Sequence, residues 1–377
     1  MNIKKRSLAI IIVIVFLLGA GTGFGINRMI TGTGVISGSS GISNDNYRKI
    51  NELYNIIEKQ YYKKPDEEKL ADGMAKGLFA GLGDKYSGYM TKKEYQNYNI
   101  SVMGEFEGVG ITFQENKKGD YVVISTVKGS PAEKAGVKKN DILLKVDGKT
   151  YDDVDEMATA IRGKKGTEVT LTIKSNGKEK KVKLKRDTIV MDSATGKMLD
   201  NNIGYIQITA FEKNTGDEYK KAFSKLEKKN MKGLIIDLRD NGGGLVTEAV
   251  DIADTLLGKC TITYLEDRAG EKQYYRSDED QIDIPYVILV NGNTASASEI
   301  MSAAVKDKGR GKIVGTKTYG KGVVQISDEL SDGSGYKLTV MQYFSPNGKV
   351  INEKGVSPDY KVKGKEKQLE KAIELLK

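Results

Sequence analysis

The chain has 377 residues and a formal net charge of +9, with one cysteine, Cys260, and no histidine. This length suits two or three domains. The lack of histidine excludes a Ser-His-Asp relay and any zinc site that uses histidine, and a single cysteine excludes an intramolecular disulfide. The lysines concentrate in turns and do not alternate with aromatic residues, which argues against nucleic-acid binding.

The N-terminal segment predicts a membrane anchor. Lys4, Lys5 and Arg6 precede an uncharged run over residues 8–27, which is long enough to span a bilayer as a helix. The basic flank is expected to stay in the cytoplasm, so the rest of the chain would lie outside it. A cleaved signal peptide is the alternative. Because no A-x-A cleavage site follows the run, we favour an uncleaved anchor over residues 1–30.

A linker and a helical region are predicted next. Residues 31–43 are rich in Gly and Ser, which is typical of a flexible linker. Residues 44–103 are predicted to be mainly helical, because apolar side chains recur there at helical spacing. These side chains are Tyr47, Ile50, Leu53, Tyr54 and Ile57.

Residues 104–187 predict a compact β-rich domain. The stretches YVVISTV, DILLKVDG and TEVTLTIKSNGKEKKVKLKR read as short strands. Asn176 and Gly177 form the centre of a predicted hairpin turn. One helix, over residues 153–162, lies among these strands.

From residue 188 to 363 predicted strands and helices alternate, which favours an α/β core. GLIIDLR (233–239) and YVILVN (286–291) are continuous apolar runs of the kind that form buried strands. Residues 364–377 are predicted to form a C-terminal helix. The fold class is therefore an α/β (α+β) multidomain protein.

The segment from Tyr286 to Lys306 predicts a strand, a tight turn and a helix, with Ser296 and Ser298 where the helix begins. Free N–H groups at a helix N-terminus bind anions, so a serine nucleophile there would have an oxyanion site beside it. The alternative is an ordinary N-cap, for which Ser is common.

A chain without histidine needs another base for such a serine, and a buried lysine is the plausible one. GTKTYGKGVVQI (315–326) offers Lys317 and Lys321 in a Gly-rich setting. The stretch also approaches a phosphate-binding P-loop, but Gly322 stands where that motif needs Ser or Thr, and a strand follows in place of a helix. We therefore favour a lysine base over a phosphate site.

TASASE together with GKGVVQ resembles the carboxy-terminal processing proteases, serine peptidases with a Ser-Lys dyad. In that family the serine precedes the lysine by about 25 positions, and a glutamine follows the lysine by four. The resemblance implies Ser296 as nucleophile, Lys321 as base and Gln325 as its orienting partner. GLIIDLRDNGGG resembles the family's oxyanion turn. It implies N–H donors from Ala297 and from one of two glycines, Gly242 or Gly243.

EFEGVGITF (105–113) resembles the carboxylate-binding loop of PDZ domains. Successive N–H groups in such a loop bind a terminal carboxylate, and the following strand accepts the peptide as an added strand. The resemblance implies a peptide-binding site from these residues: Gly108, Val109, Gly110, Ile111 and, on the groove helix, Met157, Ala158 and Ile161.

The resemblance thus implies a membrane-anchored, extracytoplasmic serine endopeptidase that captures substrate proteins by accessible C-terminal segments. It implies no metal and no cofactor, and it makes a homodimer through residues 44–80 and 364–377 plausible. One alternative is a non-catalytic membrane-tethered PDZ scaffold, which would need none of Ser296, Lys321 and Gln325. The other is a crotonase-type acyl-CoA enzyme, which would have no use for a PDZ domain.

Overall fold

The computed structural model of the chain describes residues 43–377. The predicted anchor over 1–30 and nearly all of the linker therefore lie outside the described residues. The chain divides into two units after Ala71, and the second of them is Asp72–Lys377. Within residues 43–377, none of the helices is both long and apolar enough to cross a membrane.

The N-terminal region is helical except for one short strand. Its helices are α1 (Asn44–Gln60), α2 (Glu67–Ala80) and α3 (Lys92–Met103). The strand β1 (Gly88–Met90) precedes α3 and pairs antiparallel with residues 335–337, which lie far along the sequence. The mainly helical prediction for 44–103 therefore misses one strand, because the partner that pairs with it is far away in the sequence.

Residues 105–190 form the β-rich domain. A five-stranded antiparallel sheet has the order β3-β4-β5-β6-β7, and β2 and β8 form a separate two-stranded antiparallel ribbon. The elements are β2 (Glu105–Gly108), β3 (Ile111–Glu115), β4 (Tyr121–Thr126), α4 (Pro131–Lys134), β5 (Ile142–Val146), α5 (Val154–Ile161), β6 (Glu168–Ser175), β7 (Lys178–Lys185) and β8 (Asp187–Val190). The predicted hairpin is confirmed, since β6 and β7 pair in register across Asn176 and Gly177, both with positive φ.

The α/β core contains a six-stranded sheet of order β18-β15-β14-β11-β10-β9, parallel except for β9. Its strands are β9 (Ala194–Met198), β10 (Ile203–Ile208), β11 (Gly233–Asp237), β14 (Tyr286–Val290), β15 (Lys312–Gly315) and β18 (Tyr360–Lys361). The helices are α6 (Thr215–Glu227), α7 (Val246–Leu256), α8 (Ala297–Lys308) and α9 (Lys365–Glu374). Every residue of β11 and β14 is buried, as their continuous apolar sequence predicts.

Both faces of this sheet are covered. Alternate side chains such as Ile236 and Ile288 join one apolar cluster with α6, α7 and α8. Their neighbours Ile235 and Val287 join a second cluster with Ala372 of α9. The carboxyl ends of β11 and β14 lead directly into the turns that carry the glycine run and the serines, and ligands of such sheets bind at this edge.

A second sheet lies beside the first and carries the strand after Lys321. Its order is β1-β17-β12-β13, with β16 also paired to β17. The strands are β12 (Cys260–Asp267), β13 (Lys272–Ser277), β16 (Val323–Glu329) and β17 (Gly335–Phe344). Pairing between β16 and β17 shifts register between Val324 and Gln325.

Candidate active site

Ser296 lies in a strained turn between β14 and α8. Its backbone has φ +57° and ψ −121°, a region that residues with a side chain seldom adopt. Such a sharp strand-to-helix turn is typical of a nucleophile elbow, in which the serine side chain is held clear of the backbone. Ser298, by contrast, is fully buried and its Oγ donates to the Asn241 carbonyl at 3.2 Å. The geometry therefore favours Ser296 over Ser298 as the reactive serine.

Glu299 connects the serine turn to the lysine loop. Its fully buried Oε2 accepts the backbone N–H groups of Ser296 and Lys321, each at 2.9 Å. Oε1 accepts the Thr318 hydroxyl at 2.5 Å and the Gly320 N–H at 2.7 Å. Burial raises the pKa of Glu299, and these four donors act against that rise. One carboxylate thus fixes both predicted catalytic segments.

The Tyr343 hydroxyl makes a second connection between the same segments. This side chain of β17 is fully buried, and its hydroxyl contacts the carbonyl oxygens of Ser296, at 3.1 Å, and Lys321. A hydroxyl has a single proton, so it donates to one carbonyl at a time. Sequence reasoning missed both Glu299 and Tyr343, because neither belongs to a Ser-Lys spacing.

The Lys321 side chain is half-buried and lies against an aromatic ring. Its Nζ stands 5.0 Å from the ring centroid of Tyr86, another residue that sequence reasoning did not select. Burial lowers the pKa of Lys321, and the charge of Lys337 lowers it further, while Asp84 and Glu299 oppose the shift. A lysine with a lowered pKa is a better candidate base than an exposed one, and Lys317 is exposed.

Gln325 lies on β16, four residues after Lys321, and its side chain contacts β17. Its Nε2 donates to the Thr339 Oγ1 at 3.0 Å, and the Thr339 N–H donates to the Ser87 hydroxyl at 2.9 Å. Ser87 in turn donates to the Asp84 carboxylate at 2.5 Å. Across residues 43–377 no hydrogen bond joins Lys321 Nζ to Gln325, so their predicted pairing stays a prediction.

The glycine turn after β11 lies directly against Ser296. A Cβ placed on Gly243, where φ is +104°, would stand 2.7 Å from the Ser296 Cβ and 3.0 Å from the Ala297 nitrogen. The Gly243 N–H donates to the Asn241 Oδ1 at 2.8 Å. Gly242 is exposed, and its N–H donates to no other residue of the described chain. Ala297 opens α8, so its N–H has no acceptor within the helix.

The predicted peptide-binding loop has backbone N–H groups without an acceptor in the described part of the protein. The N–H groups of Val109 and Gly110 donate to no acceptor in the described part of the protein. Their carbonyl oxygens are occupied, since Ala132 donates to Val109 and Val127 donates to Gly110. The loop therefore presents donors without acceptors, which suits an anionic ligand.

The residues beside this loop differ in exposure. Ile111 begins β3 and is half-buried, and Gly108 ends β2, where the Phe106 ring lies beside its Cα. Of the three residues predicted on the groove helix, Met157 and Ile161 are buried in the apolar cluster of the domain, and Ala158 is half-buried. In this structure the first two therefore contribute mainly to the domain core.

No cluster of three or more Cys, Asp or Glu side chains suited to a metal ion occurs within the stretch 43–377. The Sγ of the half-buried Cys260 lies 3.2 Å from the Ser277 hydroxyl, and the residue packs against the apolar core.

Comparison with known proteins identifies the class. The model of peptidase family S41 matches residues 202–362, the PDZ domain model matches 108–185, and the model "Activating protease CtpB N-terminal domain" matches 18–94. The chain is similar to the carboxy-terminal processing protease CtpA of Bacillus subtilis, with 38% identity over 95% of this chain and 78% of that protein.

Two further similarities agree with that class. A probable CtpA-like serine protease of Staphylococcus aureus is 39% identical over 86% of this chain, which spans 66% of that protein. The solved structure of a photosystem II D1 C-terminal processing protease has a TM-score of 0.51 at 29% identity and covers 88% of this chain and 90% of its own. The chain belongs to the carboxy-terminal processing proteases of peptidase family S41, serine-type peptidases with a PDZ domain. This membership displaces the acyl-CoA alternative.

Proposed function

We propose that the protein is a membrane-anchored endopeptidase that cleaves proteins with a Ser296-Lys321 dyad after capturing their C-terminal segments in its PDZ domain. The observation that carries the proposal is the shared Glu299 carboxylate, which binds both dyad residues by their backbone N–H groups. The strained backbone of Ser296 and the lowered pKa of Lys321 support the same assignment. A PDZ scaffold without activity would require none of these features.

In the proposed reaction, the Ser296 Oγ attacks the scissile carbonyl carbon while neutral Lys321 takes the hydroxyl proton. The carbonyl oxygen becomes an oxyanion that accepts hydrogen bonds from the N–H groups of Ala297 and the glycine turn. Of the two candidate glycines we infer Gly242, because the Gly243 N–H already binds Asn241. Protonated Lys321 then returns the proton to the leaving amine, and water hydrolyses the acyl-enzyme with Lys321 as base again.

Gln325 is proposed to orient the Lys321 amine. Its amide nitrogen donates to Thr339, which fixes the amide plane and leaves Oε1 as the acceptor for Lys321 Nζ. A neutral amine that donates to Oε1 directs its lone pair elsewhere, as a base must. Loss of this acceptor would leave Lys321 in place but free to rotate.

Substrate capture is proposed to use the loop from Gly108 to Ile111. A C-terminal carboxylate would accept the free N–H groups of Val109 and Gly110, and the peptide would extend along β3. Ala158 lines the proposed groove from the helix side. Apolar residues at the substrate terminus suit this site, because the domain interior behind it is apolar.

The proposed topology places the catalytic part outside the cytoplasm, with residues 1–30 as the anchor in the cell membrane. It rests on the basic residues before the uncharged run. N-terminal sequencing of the mature protein tests it. A start near Met1 in the membrane fraction agrees with an anchor, whereas a start between residues 22 and 40 would show a cleaved signal.

A homodimer through residues 44–80 and 364–377 is also proposed. Helix α1 has no buried residue, and its exposed apolar side chains include Tyr47, Leu53 and Ile56. Sedimentation equilibrium of residues 43–377 measures the mass. A monomer that is unchanged by Leu53→Glu contradicts the proposal, and a dimer that dissociates in this variant supports it.

The activity is tested by incubating the purified protein with an unstructured reporter that ends in free apolar residues. Mass mapping of products should show internal cleavage by the wild type and none by Ser296→Ala. Intact reporter in both reactions, with the reporter bound, would favour the scaffold alternative. Equal cleavage by both proteins would assign the nucleophile elsewhere.

A further inference from the structure

The turn after β11 is bound to the start of the C-terminal helix α9. We call residues 238–243 the oxyanion strap. The nearly buried Arg239 guanidinium holds both oxygens of the buried Asp237 carboxylate at 2.6 to 3.0 Å. Its Nη1 reaches α9, donating to the Lys365 carbonyl at 2.7 Å and to the Gln368 Oε1 at 3.2 Å. Gln368 is itself only 3% exposed, so this contact is shielded from water.

Asp240, the next residue of the strap, joins α9 to the serine turn. Its Oδ2 binds the Lys365 Nζ at 2.7 Å. Its Oδ1 accepts the side-chain amides of Asn291 and Asn293 at 2.8 and 2.9 Å. These three donors lower the pKa of Asp240, which keeps the carboxylate charged. Its backbone has φ +63°, so the contacts hold a conformation that few side-chain residues adopt.

Asn241 carries the connection on to the glycines. This fully buried residue accepts the Ala295 N–H and the Ser298 hydroxyl on its carbonyl, at 3.0 and 3.2 Å. Its Oδ1 accepts the Gly243 N–H. With these positions fixed, the direction of the Gly242 N–H follows from the strap as a whole.

We propose that the N-terminal turn of α9 holds the oxyanion strap in its active geometry, with Arg239, Gln368 and Lys365 as positioning residues for the Gly242 N–H. The inference rests on the proposed role of Gly242 in the oxyanion hole. A donor stabilises an oxyanion only when it stands at hydrogen-bond distance from the developing charge, so a small displacement of the strap weakens catalysis without altering substrate contacts.

The polar start of α9 is separate from the apolar side that anchors the helix. Leu369, Ala372 and Ile373 pack against the sheet, whereas Lys365 is exposed and Gln368 faces the strap. Single substitutions at the polar end therefore leave the apolar anchor in place. Lys367 lies on the same turn, is exposed and binds no other residue of the described chain, which makes it a matched control.

The experiment compares Gln368→Ala, Arg239→Lys and Lys365→Ala with Lys367→Ala in the full chain. Lysine keeps the charge of Arg239 but cannot bind Asp237 and α9 together. We expect kcat to fall about tenfold in Gln368→Ala and Arg239→Lys. This is less than the roughly 10²–10³-fold loss caused by removing an oxyanion donor altogether, because the donor is displaced but still present. Lys365→Ala should lose about threefold, because its ion pair is exposed, and Lys367→Ala should match the wild type.

A second readout separates positioning from general damage. A peptide aldehyde forms a tetrahedral adduct with Ser296, so its affinity should fall in parallel with kcat/KM. The KM for the reporter, and its Kd measured on the Ser296→Ala background, should stay within about twofold of their reference values. Thermal unfolding reports whether each variant is folded.

The proposal is overturned if folded Gln368→Ala and Arg239→Lys keep wild-type kcat and aldehyde affinity, or if reporter binding weakens as much as kcat. If Gln368→Ala does not fold, the exposed variant Lys365→Ala is compared with Lys367→Ala by the same two measurements, and that comparison decides. Cleavage by Ser296→Ala would refute the proposed dyad itself. An inactive Ser296→Ala together with unaffected strap variants would refute only this inference.

Discussion

Ser296 and Lys321 are 25 positions apart in the sequence, yet their backbone N–H groups donate to the same carboxylate oxygen, Glu299 Oε2, at 2.9 Å each. The relative position of the proposed nucleophile and the proposed base is thus set through the main chain, independently of their side chains. Neither side chain takes part in these two contacts.

Glu299→Gln should therefore damage both stability and activity. The amide keeps the volume of the acid, but its NH₂ group faces N–H or O–H donors in place of an oxygen. Each buried donor left without a partner costs about 1–3 kcal/mol, so we expect a lower free energy of unfolding in urea and a strongly reduced cleavage rate.

The matched control for this substitution is Glu370→Gln, at an exposed position of α9. It makes the same chemical change without a buried partner and should leave both quantities unchanged. Equal urea midpoints for the two variants would contradict the structural role assigned to Glu299.

The glycine turn offers a paired test. A Cβ at Gly243 would overlap Ser296 at 2.7 Å, and φ there is +104°, whereas a Cβ at Gly242 meets nothing within 4 Å. Gly243→Ala should abolish cleavage and lower the melting temperature. Gly242→Ala keeps its backbone N–H and should lose far less activity. Reporter cleavage and thermal unfolding of both variants check this, and a more active Gly243→Ala would contradict the geometry.

Much of the core was predictable, because its signals are local. The apolar runs of β11 and β14 predict buried strands, and Asn176-Gly177 predicts the hairpin turn, since only residues that accept positive φ suit it. Glu299 was not predictable. An acidic residue in the first turn of a helix is a favourable charge for the helix dipole. Nothing in the local sequence indicates that Glu299 contacts a loop 19 to 22 residues further along the chain.

Two other features depend on distant contacts. Strand β1 exists because β17 pairs with it, and its three residues carry no strand signal of their own. Met157 and Ile161 lie on the apolar face of their helix, which was expected to line a groove. In the structure this face is buried. An amphipathic pattern does not distinguish an apolar groove from an apolar core, because both are lined by the same residue types.

Carboxylate capture predicts that a peptide acid binds more tightly than its amide. Amidation removes the charge that the Val109 and Gly110 N–H groups would bind, and such charged hydrogen bonds contribute about 1.5–3 kcal/mol each. Titration calorimetry on the full Ser296→Ala chain should therefore show at least about tenfold weaker binding of the amide. Equal affinities would refute capture by this loop.

A pair of glycine variants locates the binding site. Gly110→Ala would place its Cβ 2.4 Å from the Ser130 Cβ at φ +77°, so the loop must distort and the preference for the acid should be lost. Gly148→Ala has a similar φ of +81° in the same domain but meets nothing within 4 Å. It should bind the acid as the parent chain does, even if it is somewhat less stable.

The base is identified most directly by the pH dependence of cleavage. Burial lowers the pKa of Lys321 below its usual value, and only the neutral amine accepts the Ser296 proton. The rate should therefore rise as pH increases through the lowered pKa. Lys321→Arg and Lys321→Ala should both be inactive and folded by circular dichroism, because a guanidinium stays protonated at any working pH. Exposed Lys317→Ala should keep most activity.

The charges around Lys321 predict the direction in which the pH profile of cleavage should move. Lys337 lowers the pKa of Lys321 and Asp84 raises it. Lys337→Gln removes a repelling cation, so the acidic limb of the rate profile should move to higher pH. Asp84→Asn removes an attracting anion, so the limb should move to lower pH. Lys317→Gln makes the same charge change as Lys337→Gln at an exposed position and should leave the acidic limb where it is. The measurement is kcat/KM for the reporter across a pH series. If the Lys337 and Asp84 variants shift the limb in the same direction, or if Lys321→Arg still cleaves at a rate near that of the wild type, the titrating group is not Lys321.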